Sequence, residues 1–137
     1  MPGELFLDTN VLVYAFSGTE PEKRRRARDL LQRPGSCCST QNLNELANVL
    51  IRKFRLPHTS VAAAIQDVAA GRSIHKVEVA DIQRALTLSA RYGFGYFDSL
   101  VVSAALSMKC STLYTEDLQE GQVIEGILTI FNPFGEE

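Results

Sequence analysis

Three apolar residues, Leu5-Phe6-Leu7, run straight into Asp8-Thr9-Asn10, the pattern of a short buried strand that hands over to a polar turn at its carboxyl end. Thr19 with Glu22 three residues on reads as a capping box, and Pro21 suits a first helical turn. A helix is therefore expected from Pro21 to Gln32, stopped by Pro34-Gly35. Ser36 to Ser39 reads as a second short strand. Leu43, Leu46, Ala47, Leu50, Ile51 and Phe54 then recur at helical spacing until Leu56-Pro57. Thr59 to Ala70 is apolar and Ala-rich enough for another helix closed by Gly71, and Ile74 to Val77 reads as a strand.

Further helices fit Val79 to Tyr92, broken by Gly93 and Gly95, and Phe97 to Met108. Thr112-Leu113-Tyr114 leading into Thr115-Glu116-Asp117 repeats the strand-then-acid arrangement of Asp8. A final strand fits Ile127 to Phe131, after a weak segment between Gly121 and Gly126. Short strands alternating with helices predict an α/β domain with a mainly parallel sheet.

Length narrows this picture: 137 residues, 45% of them hydrophobic, suffice for one core, so a single domain over 1–137 is expected. Lys and Arg number 14 against 16 Asp and Glu, scattered rather than clustered, which excludes both a disordered acidic chain and a protein that binds nucleic acid by global charge alone. Any nucleic-acid contact must be local. Apolar runs such as Ser99 to Leu106 fall well short of the roughly 20 residues that span a bilayer. Met1 to Asn10 carries acids where a secretory signal carries base, so a cytoplasmic protein is expected, with no membrane partner. Cys37, Cys38 and Cys110 lack Cys-x-x-Cys spacing, and buried reduced thiols are the expectation.

Chemistry enters with the acids. Asp8 and Asp117 each follow an apolar strand, and in a parallel sheet those strand ends converge on one edge, where α/β folds carry their sites. Asp98 begins a predicted helix, where its carboxylate is favoured by the dipole. Three close carboxylates call for a neutraliser, and Mg²⁺ or Mn²⁺ suits oxygen ligands better than zinc, since His58 and His75 are isolated. Two such ions about 4 Å apart would support phosphodiester hydrolysis. Each acid also has a plain reading: Asp98 as a helix cap, Asp8 and Asp117 as turn residues. Glu45 lies about 180° around its helix from the Leu43/Ala47 side, so periodicity makes it a solvated surface residue.

The ordered set Leu5-Phe6-Leu7-Asp8-Thr9-Asn10-Val11-Leu12, Asn44-Glu45-Leu46, Phe97-Asp98-Ser99-Leu100-Val101 and Leu113-Tyr114-Thr115-Glu116-Asp117-Leu118 resembles the PIN-domain family, most closely VapC-type toxins. The likeness covers nearly the whole chain. It implies a three-layer α/β/α sandwich with a mainly parallel central sheet, and an endoribonuclease that needs Mg²⁺ or Mn²⁺ and cleaves single-stranded or looped RNA. Asp8, Glu45, Asp98 and Asp117 fall on its acidic positions, with Thr9, Asn10 and Thr115 beside them to orient a carboxylate or a water. Some relatives carry another acid one helical turn beyond the third, where this chain has Val102. The resemblance also implies a toxin that forms a homodimer and is inhibited by a small cognate antitoxin whose tail enters the acidic groove.

Arg24, Arg25 and Arg28, together with Lys23 and Arg26, make the helix from Pro21 basic and are candidates for RNA phosphates, although such a run is commonly a solvated face. Tyr14, Phe94, Tyr96 and Phe97 are candidates for base stacking or for the core. Two rival functions are open. An aspartyl phosphatase would use Asp8 as nucleophile but needs a second acid two residues on, where Asn10 stands. A non-catalytic binding module would keep the fold and hold a basic peptide in the acidic pocket.

Overall fold

A computed structural model describes residues 4–135; Met1–Gly3, the start of the stretch considered as a secretory signal, and Glu136–Glu137 lie outside the described residues. The elements are β1 (Leu5–Leu7), α1 (Thr9–Tyr14), α2 (Pro21–Gln32), β2 (Ser36–Ser39), α3 (Thr40–Arg52), α4 (His58–Ala69), β3 (Ser73–His75), α5 (Val79–Tyr92), α6 (Tyr96–Ser107), β4 (Thr112–Tyr114), β5 (Val123–Ile124) and β6 (Leu128–Phe131). They build one sheet in the order β3-β2-β1-β4-β6-β5, parallel throughout except for β5, which runs antiparallel to β6.

β1 is the hinge of this order. The chain first moves outward through β2 and β3, then returns to lay β4 on the other side of β1, so a topological switch point falls between β1 and β4. Leu7 stands opposite Tyr114 in that pairing, which puts Asp8 and Thr115 side by side just past the strand ends.

Strand alternation sorts the core into two layers. Leu5 and Leu7 face one side with Leu12, Ala27, Leu30, Leu46, Leu50, Val61 and Val68 of α1 to α4, whereas Phe6 faces the other with Leu88, Val101, Val102, Ala104 and Ala105 of α5 and α6. The result is the expected three-layer α/β/α sandwich. Cys37 and Cys110 meet in the second layer, Sγ to Sγ 3.3 Å, and all three cysteines are buried free thiols as anticipated. No helix among the described residues is long and apolar enough to cross a membrane.

Several local readings are corrected. Asp8-Thr9-Asn10 is no turn, because Asp8 caps α1 at once, taking the Thr9 N–H on Oδ1 at 2.7 Å. Thr19 does not cap α2: Glu20 occupies that position without a side-chain cap, and the Thr19 hydroxyl meets Ser17 at 3.3 Å instead, leaving Pro21 to start the helix. The predicted Ile74–Val77 strand is shifted to Ser73–His75. Val77 N–H is drawn to the Thr40 hydroxyl at 3.1 Å rather than into the ladder. The weak segment between Gly121 and Gly126 holds β5, which a two-residue apolar run is too short to announce.

On the far face, Asp81 in the first turn of α5 ties three elements together. It accepts from Glu78 N–H at 2.8 Å, from His75 Nε2 at 2.9 Å and from Ser107 Oγ at 3.1 Å.

Candidate metal centre

Asp8 emerges from β1 almost fully buried, 5% exposed, and is held from both sides of the switch point. Thr115, next after β4 and wholly buried, donates its hydroxyl to Asp8 Oδ2 at 2.8 Å, while its own N–H is fixed by the Phe131 carbonyl at 3.1 Å. The same hydroxyl accepts from Asp117 N–H at 3.1 Å, so one threonine sets the spacing of two acids. Asn10, on the first turn of α1, donates Nδ2 to Asp117 Oδ2 at 3.0 Å and to Thr115 Oγ1 at 3.2 Å. All three polar neighbours proposed from sequence, Thr9, Asn10 and Thr115, therefore touch the acids.

Asp98 reaches the cluster from the opposite layer. It is the third residue of α6, whose N-cap is Gly95, so it does not cap the helix; its carboxylate lies in the first turn, where the helix dipole favours it. Each of Asp8, Asp98 and Asp117 offers an oxygen, and the three oxygens lie within 4.8 Å of one another. Burial pushes Asp8 up to about 7 against the lowering hydrogen bonds from Thr115 and Thr9, with the charges of Asp117 and Asp98 adding to the rise. Asp98 is raised by burial first, then by Asp117 and Glu45.

Glu45 lines the same cleft, which reverses the periodicity reading. α3 buries Asn42, Leu46 and Leu50 and turns Glu45, Asn48 and Val49 toward the cleft, so part of the face away from the core is cleft wall rather than free surface. Glu45 stands outside the tight three-oxygen group but is anchored to it: Thr9 Oγ1 donates to Glu45 Oε1 at 2.7 Å.

Sequence reasoning missed the residue that orients this bond. Asn42, 0% exposed, donates Nδ2 to Thr9 Oγ1 at 3.0 Å, and its Oδ1 is already committed to the Ser39 N–H at 2.9 Å and hydroxyl at 2.8 Å. The amide is thereby fixed, so the threonine proton goes to Glu45. The legible signals were the Ser39-x-x-Asn42 cap spacing and a polar residue standing in the Leu46/Leu50 stripe.

The cleft is open, about 600 Å³, and its walls include Tyr14, Phe54, Phe97 and Lys53 besides the acids. One turn beyond Asp98 it is Val101, not Val102, that faces this space; Val102 is buried in the second core layer, so neither position adds a carboxylate. The basic run on α2 lies elsewhere. Arg25 pairs with Glu22 at 2.7 Å, Arg28 Nε donates to the Ala15 carbonyl at 2.9 Å, Arg24 is exposed, and none of the three lines the cleft. Of the aromatics, Phe94 stacks on Tyr92 at 5.3 Å, and Tyr14 donates its hydroxyl to Glu116 at 2.8 Å on the cleft rim.

The donor set suits a hard divalent cation. It is made of oxygens, it carries several negative charges in part-buried surroundings, and the buried Asn10 Oδ1 beside it has no hydrogen-bond partner among the described residues.

Solved structures share the architecture. VapC20 of Mycobacterium tuberculosis, described as a sarcin-ricin loop cleaving toxin, superposes with a TM-score of 0.66 at 16% identity, covering 83% of this chain and 90% of that one. A toxin-antitoxin complex from Klebsiella pneumoniae gives 0.70 at 22% identity, covering 96% and 98%. VapBC2 from Rickettsia felis, bound to a DNA fragment from its promoter, gives 0.65 at 19%, covering 93% and 98%. No curated protein matches the chain by sequence. The family model for the PIN domain matches residues 5–120, the span that contains every acid gathered at the switch point, and the chain belongs to that family.

Proposed function

We propose that this chain, a single domain over 1–137, is a Mg²⁺- or Mn²⁺-dependent endoribonuclease acting in the cytoplasm as the toxin of a toxin-antitoxin pair. The observation that carries it is the convergence of Asp8, Asp98 and Asp117 within 4.8 Å, from three separate elements, beside a cleft that also takes in Glu45. Burial of Asp8, which pushes it up to about 7, and to a lesser degree the neighbouring charges of Asp117 and Asp98, make the ionised cluster uphill without a cation. Asp8, Asp98 and Asp117 would hold the cation, and Glu45 would bear on it from the cleft wall. When bound, such ions neutralise phosphodiester oxygens and make water a better nucleophile at neutral pH.

The chain's own residues prepare that site. Thr115 and Thr9 N–H fix the two oxygens of Asp8, Asn10 fixes Asp117, and Thr9 keeps Glu45 turned into the cleft, so the ligands need little reorganisation. Water would attack phosphorus and one P–O ester bond would break, leaving a phosphate monoester and a hydroxyl.

The neighbours described as toxins and toxin-antitoxin complexes support an antitoxin partner, and a homodimer is part of the same reading. Arg24, Arg25 and Arg28 would meet only RNA that runs past the cleft. The test is to incubate the purified chain and its Asp98→Asn variant with a structured-RNA pool in Mg²⁺, Mn²⁺ or EDTA and to sequence the ends. Discrete ends that need both metal and Asp98 support the reading; none under any condition favours a binding module that holds a basic peptide.

A further inference from the structure

The cleft is lined by six acidic side chains, Asp8, Glu20, Glu45, Asp98, Glu116 and Asp117, and by one cation, Lys53. Lys53 caps the end of α3, in line with Glu45 and Val49 at four-residue spacing, and is exposed. Among the described residues it forms no ion pair. Lys23, the other amine near the mouth, is committed: its Nζ donates to Tyr14 at 3.2 Å, lies 3.7 Å from Glu116 and sits over the Tyr14 ring. An unpaired ammonium on an acidic wall lowers the cleft's attraction for a basic peptide and raises it for a phosphate.

Phe97 is the second anomaly. It neighbours Asp98, lines the cleft and is 59% exposed, and neither core layer includes it. Tyr96 packs against it edge to face, centroids 5.2 Å apart and planes at 71°, and still leaves more than half of the Phe97 surface open. A large ring left bare beside the reacting position is unfavourable in water and suits a planar, unpaired partner.

We infer that Phe97, on the α6 side of the cleft, stacks on an unpaired base next to the bond that is cut and that Lys53, on the α3 side, holds a phosphate of the same strand, the two side chains together being what selects single-stranded RNA. A base inside a duplex cannot reach an exposed ring, so the pair discriminates by strandedness rather than sequence. The inference rests on the ribonuclease reading for the bond that is cut, but not for binding itself.

Fluorescence anisotropy tests it with a labelled mixed-sequence single-stranded RNA and the same strand in duplex, in Ca²⁺, across a salt series. Phe97→Ala is expected to weaken single-strand binding roughly 5- to 150-fold with an unchanged salt slope, and Phe97→Trp to retain it. Lys53→Met is expected to weaken binding and make the log–log salt slope shallower by about 0.7. Duplex affinity should change little in either variant. Unchanged RNA affinity in Phe97→Ala, or no single-strand binding by the wild type, overturns the inference; in the first case the ring belongs to a protein partner. A chain that binds in the expected pattern yet cleaves nothing refutes the ribonuclease reading and leaves this one standing. Metal-dependent cleavage with both variants matching wild type does the reverse.

Discussion

The Thr9 hydroxyl gives its proton to Glu45 across 2.7 Å while accepting one from the buried amide of Asn42 at 3.0 Å. This chain of donors runs one way because Ser39 occupies the Asn42 carbonyl oxygen. Thr9→Val keeps the shape but leaves the Asn42 Nδ2 without its acceptor and Glu45 without its guide. The expected result is a loss of about 1–3 kcal/mol in stability and a 10- to 100-fold weakening of metal affinity or activity. Thr9→Ser should restore most of both. A Mg²⁺ titration of cleavage, alongside thermal unfolding, separates the two effects; a Thr9→Val protein with unaltered Mg²⁺ dependence would show that Glu45 needs no such guide.

Asp98 is raised by burial and by the charges of Asp117 and Glu45, so in the absence of a cation it opposes folding at neutral pH. Asp98→Asn should therefore raise the metal-free unfolding free energy, and with it the Tm, by on the order of 1 kcal/mol or less once solvent screening is counted. It should also erase most of the stabilisation that wild type gains from Mg²⁺, about 2.7 kcal/mol at a hundredfold excess over Kd. Calorimetry with and without Mg²⁺ reads both signs at once. A variant destabilised in EDTA would contradict the repulsion argument.

Burial alone would raise Asp81, but the hydrogen bonds from Glu78 N–H, His75 and Ser107, with the charge of His75, outweigh it and hold the carboxyl below its usual range. A carboxylate depressed on folding stabilises fully above its unfolded value of about 3.9, and that stabilisation is lost as pH falls through the folded value. Asp81→Asn should cost about 1.5–3 kcal/mol at pH 7, and the gap to wild type should narrow as pH drops below about 4. Urea unfolding at pH 7, 5 and 3.5 reads this; a gap that widened in acid would mean the sign is wrong.

The arginines of α2 lie off the cleft, so length of RNA becomes the variable. An Arg24→Ala/Arg25→Ala/Arg28→Ala variant is expected to bind a short oligonucleotide like wild type. It should bind long RNA more weakly and with a shallower salt dependence. Loss with the short probe would bring the basic helix into the cleft's own binding surface.

The acids were legible because strand-end carboxylates follow apolar triplets, and those triplets survive in the structure as β1 and β4. The three-layer arrangement followed from the alternation of short strands with helices. Glu45 and Asn42 were obscure for a shared reason. Helical periodicity separates core from not-core, yet the not-core side of α3 is divided between solvent and cleft, and the core side admits one polar residue whose partners come from Ser39 and Thr9. α1 escaped notice because six residues are too few for a period to register, and its cap, Asp8, was already claimed by the chemistry. Lys53 gave no signal at all: its place on the cleft wall depends on how α3 lies against α1.

Thr115 reaches Asp8 across 107 positions of sequence and is itself seated by Phe131. A growing chain therefore carries Asp8 long before Thr115 but cannot close the acidic group until β4 is laid beside β1 and β6 has left the ribosome. Synthesis thus keeps its own clock: the centre is assembled only once β6 is available, and a chain truncated before β6 would emerge without it.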